Sequence, residues 1–421
     1  MRYLIKGVGI PKEDKLWYAD ILVEDGVIAD ISDKIEVEAE IIDAKGMIAM
    51  PGLCELHAYL REPGYEYKET IKSATYAALH GGYTTVVAMP ETLPVIDSVE
   101  MVDSFMMKAM RDSAVEICPA VSITMGLGGE YITNLREIKE KGIMCCCDGK
   151  RSIANANLAR KAMLSARDVD IPLFVYCEDM NIRGMGLINE SESAKKLGLL
   201  PVSRLAENLL VSRDCIMALE TGARIHIMNI STKESVEIIR FYKDKGAYIT
   251  CDVSINNLLM SDGDIVEDLG IYSFNPPLRD MSDIKALIEG LKDGTIDHIS
   301  CDHTPNHPSE KLCSIKTACA GVAGFETALA LCYTYLVEKK KLTLSELVKK
   351  LSDNPRRILG LPEYKLEKGA KATFLLADIT RTVSVESLNQ FTLSKITPYQ
   401  GAQVKGDVSY VFVDGNINLK K

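Results

Sequence analysis

RIHIMNISTKESVEIIRFYKDKGAYITCDV, residues 224–253, opens on an apolar run, breaks at polar residues, continues as a helical stretch and closes on a second apolar run. Arg224–Ile230 and Ala247–Val253 are rich in Ile, Val or Thr and apolar on both faces, without the alternation of a half-exposed strand. A strand of that kind is covered on both sides, as in a parallel sheet. Lys233–Asp244 between them has helical character. Strand, helix, strand is one unit of a parallel α/β fold.

The same unit recurs on both sides from residue 51 onward. Its apolar runs are Leu53–Tyr59, Thr84–Met89, Val115–Val121, Gly142–Cys147, Ile171–Tyr176, Arg224–Ile230, Ala247–Val253 and Asp297–Asp302. Helix-like segments such as Tyr67–His80, Ile153–Ala166, Val202–Glu220 and Ser282–Leu291 fall between them. Eight alternating units predict closure into a (β/α)8 TIM barrel. The barrel is expected over residues 51–362, with a Leu342–Asp353 helix and Asn354–Leu361 as its exit. Residues 1–50 read differently: Tyr3–Val8, Ala19–Val23 and Val27–Ile31 are short strands, with Asp25-Gly26 as a hairpin turn. Residues 363–421 look similar, with Ala372–Ala377, then Val408–Val413 followed by Asp414-Gly415. The two β-rich ends are expected to pair into one small β domain.

Of the 421 residues, 47% are hydrophobic and 6% aromatic, so aliphatic side chains must dominate the core. A formal charge of -10, with no Lys/Arg cluster, argues against a nucleic-acid partner. No apolar run reaches membrane-spanning length, and MRYLIKGVGIPKED lacks the apolar core of a signal peptide. The expected location is the cytoplasm, with no membrane partner. Cys118, Cys177, Cys251, Cys301 and Cys332 lie in apolar runs and read as reduced, small hydrophobic residues. No CxxC pair offers a zinc knuckle.

A barrel of this kind carries its active site at the C-terminal ends of the strands. The polar residues there are His57 and Tyr59 with Arg61, Glu91, Cys147 and Asp148, Tyr176 and Glu178, Asn229 and Ser231, Asp252, Asn275, and Asp302 with His303 and His307. A carboxylate ending the last strand opposite a His ending the first is a candidate metal or general-base pair.

PGLCELHAYLREPG (51–64) resembles the first-strand signature of class I dihydroorotases of the amidohydrolase superfamily, where a His-x-His pair binds zinc and a following Arg binds the substrate carboxylate. AMPETLPVID (88–97), YCED (176–179), HIMNISTKESV (226–236), NPPLR (275–279) and ISCDHTPNH (299–307) are similar to later motifs of that family, as are GVAGFETAL (321–329) and NPRRILGL (354–361). The resemblance implies an amidohydrolase-type barrel and a role in pyrimidine biosynthesis. It also implies ligand positions, and here the sequence departs from the family. His57 keeps the first ligand, but Tyr59, Tyr176 and Asn229 stand where the family has His, and Cys147 stands where it has the bridging acid. Asp302, which the family uses as ligand and general base, is kept, as are Arg61 and Asn275 for substrate. Glu91 replaces an Asn of the second-strand loop, and Asn306 the last His of the eighth-strand motif.

Zinc takes imidazole, thiolate and carboxylate. A carboxamide is a weak donor, and a phenol gives up its proton only near about pH 10. The metal position built on Tyr176 and Asn229 is therefore expected to be empty. His57, Cys147 and Asp302 remain as donors for a single zinc, so the cofactor expectation is none or one zinc. Arg61 is expected to pair with Glu91 or Asp302, and the hydroxyls of Tyr59 and Tyr176 to satisfy Asp302. Cys145 and Cys146 read as packing, His226, His80 and His298 as structural, and His303 and His307 as loop residues.

Two functions follow. One is a dihydroorotase homologue inactive or weakly active as a hydrolase, kept as a scaffold or regulatory partner of aspartate carbamoyltransferase and itself a possible homo-oligomer. The alternative is an active enzyme that opens the cyclic amide of dihydroorotate reversibly to N-carbamoyl-aspartate, or acts on a related cyclic amide, with at most one zinc and Asp302 as base. A pocket that binds a pyrimidine precursor without turnover is a third reading.

Overall fold

The computed structural model describes residues 2–13, 15–388 and 390–421. Both ends of the chain share one sheet. Its strands run in the order Asn416–Lys420, Asp407–Val413, Phe374–Asp378, Met47–Pro51, Arg2–Lys12, Lys15–Glu24 and Val27–Ser32, with Glu40–Asp43 also paired to Arg2–Lys12. The join is the antiparallel pairing of Met47–Pro51 with Phe374–Asp378. Asp25-Gly26 and Asp414-Gly415 both take left-handed backbone, with φ of 50° and 85° and of 47° and 79°, and each turns a hairpin. The sheet has its own core, built on Ile5, Val8, Ile21, Ile28, Phe374 and Phe412.

The barrel strands are β1 (Leu53–Ala58), β2 (Tyr83–Ala88), β3 (Glu116–Pro119), β4 (Cys146–Cys147), β5 (Leu173–Tyr176), β6 (Ile225–Met228), β7 (Ile249–Ser254) and β8 (His298–Ser300). Each is followed by a helix: α1 (Ile71–His80), α2 (Val99–Asp112), α3 (Leu135–Glu140), α4 (Ala156–Asp168), α5 (Leu205–Thr221), α6 (Lys233–Asp244), α7 (Met281–Lys292) and α8 (Phe325–Cys332). Parallel ladders join β1 to β3 and β4 to β8. A Val121–Cys146 bridge links the two arcs, and the Tyr59 amide donates to the His303 carbonyl (3.0 Å) where β8 meets β1. Ten of the twelve cysteines are buried; Cys313 and Cys319 are partly exposed. Among the described residues no helix is long and apolar enough to cross a membrane.

Several expected elements are shorter in the structure, three of them for a visible local reason. Gly142, at φ 87°, closes the turn after α3, so β4 begins only at Cys146. Asp302 sits at φ 49°, outside extended backbone, and β8 ends at Ser300. The Thr70 hydroxyl accepts from the Ser73 amide and sets the start of α1 well after Tyr67. The expected exit helix is a series of short pieces, Leu344–Val348, Lys349–Asp353 and Asn354–Leu359, the middle one a π-turn.

Candidate functional site

β7 places Asp252 inside the barrel, fully buried, between two imidazoles. Its Oδ2 lies 2.9 Å from His57 Nε2 on β1 and 2.7 Å from His226 Nε2 on β6, and its Oδ1 accepts from the Asn229 amide at 2.9 Å. Burial opposes charge on His57, but Asp252, reinforced by Glu55 and Asp302, raises its pKa to about 9. Burial, with the nearby His57 charge, depresses the pKa of His226. Burial works against the Asp252 charge as well, yet His57 and both hydrogen bonds hold its carboxyl far below the usual range. The shared carboxylate thus favours positive charge on His57 over His226, whose Nδ1 lies 2.9 Å from Thr250 Oγ1.

Asp302 follows β8 and is 3% exposed. Its partner is Lys150, whose Nζ lies 2.8 Å from both carboxylate oxygens and donates to the Asn275 carbonyl at 2.7 Å. His57 Nδ1 is 3.9 Å from Asp302 Oδ1. The tyrosine hydroxyls expected at Asp302 are elsewhere. Tyr59 stands beside Glu91, whose charge adds to burial in raising the phenol's pKa, and Tyr176 donates to Asn275 Oδ1 at 2.8 Å. Lys150 escaped sequence reading because it lies beyond the end of β4, in the turn made by Gly149 at φ 62°, and reaches in through its length. The Asp148-Gly149-Lys150 order just past a strand end was its only signal.

Arg61 pairs with neither expected carboxylate. Its guanidinium lies 5.0 Å over the Tyr59 ring and Nε donates to the Pro305 carbonyl at 3.0 Å. Glu91 is instead 3.6 Å from Arg151 and accepts from the Lys150 amide at 3.4 Å. A Cβ on Gly149 would lie 2.0 Å from Glu91 Oε2, so this turn admits only glycine while Glu91 stays in place. The Cys147 sulfur accepts the Gly149 N–H at 3.0 Å and touches the Met228 sulfur at 3.8 Å. Burial pushes its thiol well above the ordinary range.

On the opposite wall, Arg183 Nη1 joins Glu178 (2.6 Å) to Asn275 Oδ1 (2.9 Å), a second cation that sequence reading missed. Asn229 is buried at φ 51°, and neither polar atom of its side-chain carboxamide has a partner among the described residues. It borders a cavity of about 10 Å³ shared with Tyr176, Glu178, Glu207 and Arg279, room for one water at most. Asp148 is tied to the Thr124 amide and hydroxyl at 3.0 and 2.6 Å. Ser231 donates from its amide and its hydroxyl to Glu207. His303 stacks on Phe325 with ring centres 4.1 Å apart, and His307 accepts from the Ser309 amide in a short turn.

A two-zinc centre does not fit these residues, and neither does the single zinc expected from His57, Cys147 and Asp302. The His57 imidazole is hydrogen-bonded to Asp252, the Asp302 carboxylate to the Lys150 ammonium, and the Cys147 sulfur to the Gly149 N–H, while Tyr59, Tyr176 and Asn229 offer only weak donors. Among the described residues no group of three or more His, Cys, Asp or Glu side chains is arranged to hold a metal ion. The mouth is instead a set of ion pairs, Lys150 with Asp302, Arg183 with Glu178 and His57 with Asp252.

Barrel and terminal sheet together have the fold of the hydantoinases and dihydropyrimidinases. The chain superimposes on L-hydantoinase from Arthrobacter aurescens with a TM-score of 0.87 at 24% identity, covering 100% of this chain and 96% of that one. Dihydropyrimidinase from Brevibacillus agri gives 0.85 at 19% identity, over 100% and 95%. The family described as dihydro-orotase-like matches residues 46–235. The dihydroorotase of Caldicellulosiruptor saccharolyticus is 39% identical over 411 residues, 97% of this chain and 95% of the relative. That of Acetivibrio thermocellus is 37% identical over 422 residues, 99% of each. The chain belongs to the dihydroorotase family.

Proposed function

We propose that this dihydroorotase-family protein serves pyrimidine biosynthesis without zinc-centred hydrolysis, as a structural or regulatory partner of aspartate carbamoyltransferase. The observation that carries the reading is the Lys150 ammonium 2.8 Å from both oxygens of Asp302. Hydrolysis of a cyclic amide in this family's manner needs a metal-held hydroxide and a carboxylate free to take its proton. Here the carboxylate is bound to an ammonium, and His57 and Cys147 are hydrogen-bonded to Asp252 and Gly149.

A specific observation favours a second reading, the active enzyme. Relatives 35–39% identical over nearly the whole chain are named dihydroorotase, which speaks more directly for turnover than for a non-catalytic role. On that reading the protein interconverts dihydroorotate and N-carbamoyl-aspartate, with Asp302 as base and Arg61 and Asn275 on the substrate. Both readings take the protein to be cytoplasmic.

One experiment separates them. Purified protein is assayed in both directions, hydrolysis of dihydroorotate and cyclisation of N-carbamoyl-aspartate, and its metal content is measured by elemental analysis. The first reading expects no turnover above background, no stoichiometric zinc, and co-elution with the aspartate carbamoyltransferase of the same organism. Turnover on the order of 1 s⁻¹ or faster selects the second.

A further inference from the structure

We propose that Lys150 is the resident cation of the barrel mouth, a side-chain replacement for a metal's charge that ties opposite walls of the barrel together. The inference rests on the functional reading above in one respect, the absence of zinc.

The geometry is that of a crosspiece. Lys150 leaves the turn after β4 and Asp302 follows β8, strands that face each other across an eight-stranded barrel. The same ammonium holds the backbone carbonyl of Asn275 in the loop between β7 and α7. Three segments distant in sequence thus meet on one Nζ, at 2.7–2.8 Å. Asp302 is buried, and a buried carboxylate without a counter-charge is strongly unfavourable. A bound metal can supply such a charge; here a tethered ammonium does.

Charge balance argues the same way. The neighbouring carboxylates Asp252 and Glu178 have cations at hydrogen-bond distance in His57 and Arg183; among the described residues Asp302 has Lys150 in that place, with His57 Nδ1 farther off at 3.9 Å. A divalent ion entering the mouth would first have to displace a charge attached to the chain, which is present at high effective concentration. The strained backbone of Asp302, a non-glycine residue at φ 49°, has the same dependence: it persists only while something fixes the carboxylate.

The test uses full-length protein stripped with a chelator, and follows the thermal unfolding midpoint of the wild type, Lys150→Met, Lys150→Arg and Lys150→Met/Asp302→Asn. Removing one partner of a buried pair should lower the Lys150→Met midpoint by roughly 3–6 °C in a chain of this length. Lys150→Arg should lie between that variant and the wild type, and the double variant should recover at least half of the loss. Added zinc should leave the wild type unmoved and raise the Lys150→Met midpoint. A wild-type midpoint that rises with zinc, or a Lys150→Met midpoint within about 1 °C of the wild type, would overturn the inference. If Lys150→Met fails to fold, Asp302→Asn alone decides: it should tolerate Lys150→Met as a second change, and a double variant that also fails to fold counts against the crosspiece. Turnover by zinc-free wild type would defeat the functional reading and leave this one standing, whereas an unmoved Lys150→Met midpoint without turnover would do the reverse.

Discussion

His57 Nε2 lies 2.9 Å from Asp252 Oδ2, in the interior of the barrel. The same oxygen receives His226 at 2.7 Å, but positive charge is favoured on only one of the two rings. The two contacts should therefore differ in worth. Asp252→Asn leaves a buried imidazolium without its counter-ion and should cost about 3–5 kcal/mol. His226→Gln removes a neutral hydrogen bond and should cost about 1 kcal/mol. Urea unfolding of the two variants checks this, and equal losses would show that the charge is not on His57.

Glu207, nearly buried on α5, is the second polar centre of the barrel. It accepts from the amides of Ser231 and Thr232, from the hydroxyls of Ser231 and Ser235, and from Arg279 at 3.4 Å. Arg279 is 2% exposed. Glu207→Ala strands that guanidinium, and a loss of about 3–5 kcal/mol is expected. Changing Arg279→Met in the same chain should return part of it, because the charge left without a partner is then gone. Chemical denaturation of the single and double variants measures the recovery.

Restoring the family's donors should not by itself restore a metal. With Tyr59→His, Tyr176→His, Asn229→His and Cys147→Asp combined, Lys150 still holds Asp302. Elemental analysis should find less than about one zinc per chain in that variant, and a larger fraction once Lys150→Ala is added. Equal zinc in the two chains would show that the ammonium does not compete for the place.

Asp353 gives the clearest pH signature. Burial, with Glu363 adding, pushes its carboxyl up to about 6. Raised above its unfolded value, the group contributes stability that is complete below about pH 3.9 and lost as pH climbs through about 6. Asp353→Asn should therefore be worth little at low pH and gain about 1 kcal/mol over the wild type at neutral pH, a figure discounted for the partial exposure of the side chain. Calorimetric midpoints across that range would detect it, and a gain that is constant with pH would contradict the assignment.

The barrel was legible because β strands covered on both sides leave an unbroken apolar run, and Lys233–Asp244 was read to the residue because Thr232 caps its start through the Ser235 amide. What the sequence could not show is which side chains meet across the barrel. His226 reads as an ordinary strand residue until Asp252 is seen beside it, and Lys150 reads as a loop lysine until Asp302, 152 residues on, is found against its Nζ. The expectation that tyrosine hydroxyls satisfy Asp302 failed for this reason: it assigned partners from strand position, when Tyr59 had Glu91 and Tyr176 had Asn275 within reach. Positions along a strand say which face a residue takes, whereas the reach of a lysine or arginine erases that information.

The pairing of Met47–Pro51 with Phe374–Asp378 has a consequence for how the protein is made. The N-terminal hairpins leave the ribosome first, yet one margin of their sheet finds its partner only after roughly 300 further residues, about 15–60 s of translation. Through that interval a row of open backbone groups is available to any nascent chain nearby. A message cut short before codon 374 would leave it open permanently.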